Sequence, residues 1–334
     1  MHTPQNWHLP LRYCLVLTLA KNTKNNNVML WPFIPIGISL ISFAALIGVL
    51  HLWHWIDKRR NRRRTPLTQG LLRGPGESLR KQIDNLTLDL MSYVAVIPTL
   101  PLLLYASYLT HAFFGAKITL FTAALYIVCA VVAIGYSAYK TVSTVRRRRK
   151  LILGMEAEIA VGQELSQLIR YGCYVFHDVP AEGFNIDRVV VGPNGVTAVE
   201  TKGRTKRIGP DARAEARLIY DGKKLRFPDH VETEPLKQAV AQAAWLRNWL
   251  SSAVGEPVPV RAALAIPGWF IALERKESGP VYVFNGKNPR QLLSRDHQPT
   301  LDERLIQRIA HQLDQRCRDI EPQAYARPKP SLAT

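Results

Sequence analysis

The sequence predicts an α/β protein in two parts: three N-terminal transmembrane helices, then a domain of mixed sheet flanked by helices. Three observations predict it. Three long uncharged runs all lie before Lys140. From Leu151 onward, helical and strand patterns alternate, as in a layered α/β domain. The net charge of +18 is concentrated in two basic runs, and each follows an uncharged run directly.

Residues 1–28 read as an N-terminal tail. Its "YCLVLTLA" is short for a signal-peptide core, and Met29 is a second candidate start. Residues 29–150 read as a membrane anchor. No Asp, Glu, Lys or Arg occurs from Val28 to Ile56, from Leu90 to Ala116, or from Ile118 to Tyr139. Each run is long enough to cross about 30 Å of hydrocarbon as a helix, which places spans at about 33–55, 90–110 and 118–139. A buried helix of a water-soluble protein would carry a polar face at helical spacing, and these runs carry none. Pro98 and Pro101 fall inside the second span, where neighbouring helices can satisfy the freed backbone groups. Without an acidic or basic residue in any span, the helices read as an anchor rather than a transport path.

The basic runs set the topology. Lys58–Arg64 follows the first span and Arg146–Lys150 the third, while the turn between spans two and three carries only Lys117. Positive-inside logic places both runs in the cytoplasm. The N-terminus is then outside, and the basic loop Lys58–Asp89 and everything after Arg146 are inside. The expected location is a multi-pass protein of the cell inner membrane with a cytoplasmic C-terminal domain.

That domain reads as residues 151–320, ahead of a polar, Pro-containing tail at 321–334 with the composition of disorder. A helix is expected from about Met155 to Arg170, then a strand "CYVFHDV" and the hairpin "NIDRVVVGPNGVTAVETKGR". A basic stretch, Gly203–Arg217, leads to a small hairpin, "RLIYDGKKLRF". The next helix starts near Glu234, with Pro235 in its first turn where proline is tolerated, and ends near Ser252. Strands "VPVRAALAI" and "PVYVF" precede a last helix from about Leu301 to Arg318. These elements read as one central sheet with helices around it. Cys14, Cys129, Cys173 and Cys317 lack Cys-x-x-Cys spacing, which argues against a zinc site or a disulfide framework. No Walker motif or nucleophile elbow occurs.

The large hairpin holds the unusual charges. Strand side chains alternate faces, so Asp187 shares a face with Val189 and Val191, and Glu200 and Lys202 share one with Val196 and Ala198. If Pro193 and Asn194 close a two-residue turn, Gly192 pairs with Gly195 and Asp187 lies opposite Glu200. Opposed side chains have Cβ atoms about 4.5–5.5 Å apart. Two carboxylates so placed repel and call for a cation, supplied by Lys202 or by a divalent ion with a preference for hard oxygen ligands, Mg2+ or Mn2+. A three-residue loop with a bulge at Gly195 also suits Pro-Asn-Gly, and it would slip the register by one.

A third acid comes from the preceding helix. Projected at about 100° per residue, Glu158 falls in line with Leu165 and Ile169 on the core face. Glu156, Gln163 and Gln167 fall on the solvated face. Placement in the first turn offers a second explanation for Glu158, attraction to the positive helix N-terminus. Trp245 and Trp249, four apart on one helix, read as sheet-packing residues, and His177-Asp178 as a structural strand-end pair.

Glu-x-Lys alone is a weak signal, and the chain repeats the spacing at Glu274-Arg275-Lys276. The informative unit is an acid, a turn, Glu-x-Lys in a β-branched strand, and a preceding helix with a core-facing acid. That unit resembles the PD-(D/E)XK nuclease superfamily and, more closely, its nuclease-related domain (NERD) family. The matching text is "GMEAEIAVGQEL" at Gly154–Leu165, "IDRVVVGPNGVTAVETKGR" at Ile186–Arg204, and "EPLKQAVAQAAWL" at Glu234–Leu246. The family more usually has glycine where Ala157 stands, and often histidine where Arg188 stands.

The resemblance implies a PD-(D/E)XK-like fold and a set of catalytic roles. Glu158 is the helix acid, Asp187 and Glu200 are metal-binding carboxylates, Lys202 positions or activates the attacking water, and Gln238 is the polar residue of the later helix. It implies a Mg2+- or Mn2+-dependent endonuclease whose partner is nucleic acid, with DNA expected. Homodimers are common in the superfamily, which leaves a homodimer open. Arg204, Lys206, Arg207 and Arg213 can contact phosphates without reading sequence, or form a solvated loop. The alternative reading is a non-catalytic nuclease-like domain that binds nucleic acid or protein beside the membrane.

Overall fold

The computed structural model describes residues 34–60, 65–113, 119–206, 216–274, 279–293 and 301–322. The expected N-terminal tail and nearly all of the expected C-terminal tail lie outside these residues, as does Cys14. The chain divides into two compact units, Met1–Arg62 with Leu90–Ser143, and Arg63–Asp89 with Thr144–Thr334.

Three helices carry the apolar runs: α1 (Ile34–Arg60), α2 (Glu77–Phe113) and α3 (Leu120–Ser166). All three are long and apolar enough to cross a membrane. Their apolar side chains are exposed, Leu46, Trp53, Phe121 and Val131 among them. Exposed apolar surface on this scale requires an apolar partner or medium. Within this unit Tyr108 of α2 meets Tyr126 of α3 edge-on, at 6.0 Å between ring centroids. Pro98 and Pro101 both lie inside α2.

The helices are longer than the expected spans. The gap expected between Tyr139 and Met155 is helical, so the third span and the next predicted helix are one helix, α3. Nothing between Tyr136 and Leu153 stops it, because that stretch contains neither proline nor glycine. Glu158 therefore lies near the C-terminal end of α3. Attraction to a helix N-terminus, which acts within the first turn, does not account for its position.

The second unit is built on a five-stranded sheet in the order β1-β2-β3-β7-β9. β1 (Tyr174–Pro180), β2 (Asn185–Gly192) and β3 (Gly195–Thr201) are antiparallel neighbours, and β7 (Val260–Ala265) and β9 (Val281–Phe284) continue parallel to β3. β3 is central and buried along its whole length, which is why it reads as a nearly unbroken apolar run. The expected single sheet is joined by a second one, β6-β5-β4-β8. Its strands are β4 (Arg217–Tyr220), β5 (Leu225–Arg226), β6 (Val231–Glu232) and β8 (Phe270–Leu273). Strands of two to four residues are too short for alternation to reveal.

Two cores cover the main sheet. Val189, Val191, Val196 and Ala198 pack with Ala239, Leu246 and Leu250 of α4 (Glu234–Val254) and Ile309 and Leu313 of α5 (Glu303–Cys317). Val190, Val199 and Ala263 pack with Val161 and Leu165 of α3 and with Leu168. Ile169, expected on the buried line, is exposed. The chain tightens into a 3-10 turn over Gln167–Tyr171, which rotates Ile169 off the helical projection. Trp245 and Trp249 pack against the first core, as their spacing suggested.

Arg63–Asp89, expected as a loop, belongs to this unit. Leu71 forms an antiparallel bridge with Ile320. Arg73 holds the Asp319 carboxylate through Nε at 2.7 Å.

Candidate active site

The β2–β3 hairpin closes as a two-residue turn. Gly192 pairs with Gly195, and the register runs unbroken to Arg188↔Val199. Continuing it by one pair sets Asp187 opposite Glu200. Gly195 has φ of 105°, a conformation side-chain-bearing residues rarely adopt, yet it causes no register slip. Of the two expected registers, the one that brings the acids together is present.

Glu200 is buried, with 2% of its surface exposed. Lys202 Nζ lies 2.6 Å from its Oε1, and Gln242 Nε2 donates to its Oε2 at 2.7 Å. Asp187 Oδ2 accepts the backbone N–H of Thr201 at 2.6 Å. Asp187, Glu200, Lys202, Glu158 and Gln238 all line one cavity of about 620 Å³. Lys150, Ser78, Gln82, Phe184 and Asn185 also line it.

Glu158 reaches the cavity because α3 passes close to the end of β3. A Cβ on Gly203 would lie 2.8 Å from the Leu153 carbonyl oxygen and 3.0 Å from Ala157 Cβ. Only glycine allows that approach. Burial pushes the Glu158 carboxyl up to about 7, against the pull of the Arg188 guanidinium. Burial raises the Asp187 carboxyl well above the usual range, and the Glu200 and Glu158 carboxylates raise it further.

Arg188 is fully buried between these acids. Its Nη1 donates to Thr201 Oγ1 at 2.7 Å. Nε and Nη2 have no hydrogen-bond partner among the described residues. Burial and the neighbouring Arg188 push the His177 imidazole down to about 4, so it is neutral at physiological pH and is no cation for the site.

Next to this site lies a further buried acid, Asp178, 1% exposed and held at φ 49°. Its carboxylate accepts from Arg73 Nη1 at 3.2 Å, the Ser78 N–H at 2.9 Å, Ser78 Oγ at 2.8 Å and Asn185 Nδ2 at 3.0 Å. Asp178 thereby satisfies a donor in the first turn of α2. Asn185 carries the network onward, since its carbonyl accepts from Gln242 Nε2 at 3.3 Å.

Of the nucleic-acid-contact residues expected from sequence, Arg204 and Lys206 are among the described residues. Arg204 is held by Glu232 in a bidentate pair, both bonds 2.8 Å, so its guanidinium is already engaged. Lys206 sits 5.9 Å from the Trp269 ring centroid. Arg207 and Arg213 lie outside the described residues.

Among the described residues no three His, Cys, Asp or Glu side chains gather into a metal cage. Mg2+ needs less: it is commonly held by one or two carboxylates, with waters and substrate phosphates completing its shell. Asp187 and Glu200 supply two carboxylates of that kind to the cavity.

The sheet sets two acids and a lysine at the same end of the adjacent strands β2 and β3. Residues 153–267 match the family model of the nuclease-related domain (NERD), a PD-(D/E)XK-type nuclease family, and the chain carries that domain. No curated protein and no solved structure matches the chain.

Sequence reasoning passed over several site residues. Gln242, one turn beyond Gln238, makes the buried bond to Glu200. Both glutamines fall on the same helix face, and only depth distinguishes them. Arg188 stood out only as a departure from the family pattern. Lys150 was read as a topology signal, and Ser78 and Gln82 carry no local signal at all.

Proposed function

We propose that this chain is a membrane-anchored, divalent-metal-dependent hydrolase of phosphodiester bonds in nucleic acid, with DNA the expected polymer. The observation that carries the reading is the hairpin register that opposes Asp187 to Glu200, with Lys202 on Glu200 and Glu158 in the same cavity. Asp187 and Glu200 would hold Mg2+ or Mn2+. A bound divalent ion polarises the phosphoryl oxygen and lowers the pKa of its water. Lys202 is anchored on Glu200 and a quarter exposed. It orients the attacking water and stabilises charge building on the phosphoryl oxygens. Glu158, pushed up to about 7, exchanges a proton near neutrality, the range suited to acid–base work. Gln242 holds Glu200 in place, and Gln238 faces the substrate space. Every group named comes from one chain.

The three apolar helices serve as the anchor, with the α/β unit on the cytoplasmic side of the inner membrane. A C-terminal reporter fusion active only outside the cytoplasm would refute that orientation.

The hydrolase reading is tested on the full-length protein in detergent, with supercoiled plasmid and Mg2+ or Mn2+. Nicking is expected, and Asp187→Ala and Lys202→Ala should each lower it by at least about 100-fold, the scale of losing one transition-state group. Nicking that survives both substitutions contradicts the reading. A non-catalytic binding domain is the second reading. It draws on one observation, that both Glu200 oxygens are already taken by Lys202 and Gln242, and it requires binding without cleavage under every metal condition.

A further inference from the structure

The cavity wall contains one feature that phosphate chemistry does not use. Phe184 lines the cavity beside Asn185, and 37% of its surface is exposed. The other side chains there are mostly polar or charged. A large aromatic ring left open in such a wall is unlike the core phenylalanines Phe176, Phe227 and Phe284, which are all buried.

The ring is also held in place. Phe184 ends the tight turn between β1 and β2, where the Ala181 N–H donates to the Phe184 carbonyl at 2.9 Å. Trp245 meets it edge-to-face at 5.6 Å between centroids. Trp249 stacks on Trp245 at 6.0 Å with ring planes 2° apart. The Arg316 guanidinium lies over both indoles, 5.1 Å and 4.7 Å from their centroids. Phe184 is thus one end of a run of ring contacts that passes through Trp245 to Trp249 and Arg316.

We propose that Phe184 is a stacking platform for an unpaired base, and that the site takes single-stranded nucleic acid in preference to duplex. This rests on the reading of the site as one for nucleic acid. A base inside a duplex has both faces covered by its neighbours and offers none to a side chain. An unpaired base has a free face, and stacking on an aromatic ring is tolerant of sequence because every base has one. The cationic groups Lys150 and Lys202 in the same cavity serve the phosphates of such a strand. Phe184 lies three residues from Asp187, so the stacked base neighbours the phosphate that the acids address.

The test uses full-length protein in detergent with EDTA present, so that binding is separated from cleavage. Fluorescence anisotropy compares a labelled single strand with its blunt duplex at one salt concentration, and 2-aminopurine in the strand reports stacking by quenching. The single strand should bind more tightly and be quenched. Phe184→Ala should weaken single-strand binding about 5- to 150-fold, equivalent to about 1–3 kcal/mol per stacked base, abolish the quench, and leave duplex binding unchanged. Phe184→Trp should restore both, and Phe184→Leu, which keeps bulk against Trp245 without a ring, should restore neither. Equal binding of duplex, or single-strand binding indifferent to Phe184→Ala, overturns the proposal. A ring wedged into duplex steps would show as duplex binding lost in Phe184→Ala, which also overturns it. Phe184-dependent quenching with no cleavage under any metal would sink the hydrolase reading alone. Asp187-dependent cleavage of both forms, indifferent to Phe184, would sink the stacking proposal alone.

Discussion

Asp178, buried, and Asp187, half-buried, are acids on neighbouring strands, nine residues apart, and they are treated in opposite ways. Asp178 receives four donor groups, one of them the Arg73 guanidinium. Asp187 receives one backbone N–H and faces two further carboxylates. A buried carboxylate saturated with donors holds a fold together. One that is short of donors and crowded by like charge raises the energy of the folded state, and a chain retains it where a cation or substrate completes it. The count of donors separates the two acids.

The comparison can be broken by substitution. The largest expected effect is on stability at Asp178: replacing it with alanine should cost about 3 kcal/mol, because Arg73 and Ser78 lose a buried partner. Thermal unfolding of the full-length protein in detergent measures this, and an unchanged midpoint would mean that the network is ornamental. Next, Gln242→Ala should cost about 1–3 kcal/mol by leaving Glu200 Oε2 without its buried donor. Gln238→Ala, by contrast, should leave the midpoint unchanged. The opposite sign is expected at Asp187. Asp187→Asn should stabilise the metal-free protein by up to about 1 kcal/mol, the scale of relieving one opposed like-charge pair. Destabilisation there would contradict that repulsion.

The smallest effect is in pH dependence. Glu158 has a folded value of about 7 against an ordinary 4.5. Between those values the folded state binds the proton more tightly than the unfolded chain does. Its contribution to stability is therefore fully present below about 4.5 and is lost as pH rises through about 7. The midpoint of the parent protein, measured against Glu158→Gln, should fall over that window. A flat difference would place Glu158 in contact with solvent.

Much of the site was legible because local rules set it. A two-residue turn and strand alternation suffice to oppose Asp187 and Glu200 and to put Lys202 beside Glu200. Helical periodicity places Glu158 on the core face, although the sequence expectation starts its helix near Met155 instead of continuing it from the third span. What stayed hidden depends on distant chain. Asp178 acquires its role only from Arg73 and Ser78, about a hundred residues away. Gln242 is chosen over Gln238 by its depth in the packing. The segment Arg63–Asp89 joins the α/β unit through an isolated bridge and side-chain contacts that leave no periodic trace.

The most direct measurement is Mn2+ binding by the full-length protein in detergent, followed by titration calorimetry without substrate. One class of site should appear in the parent protein. It should be lost in Asp187→Asn and Glu200→Gln and retained in Asp178→Asn. Binding that survives both hairpin substitutions, or that vanishes with Asp178→Asn while the fold persists, would contradict the assignment of Asp187 and Glu200 as the acids that await a cation.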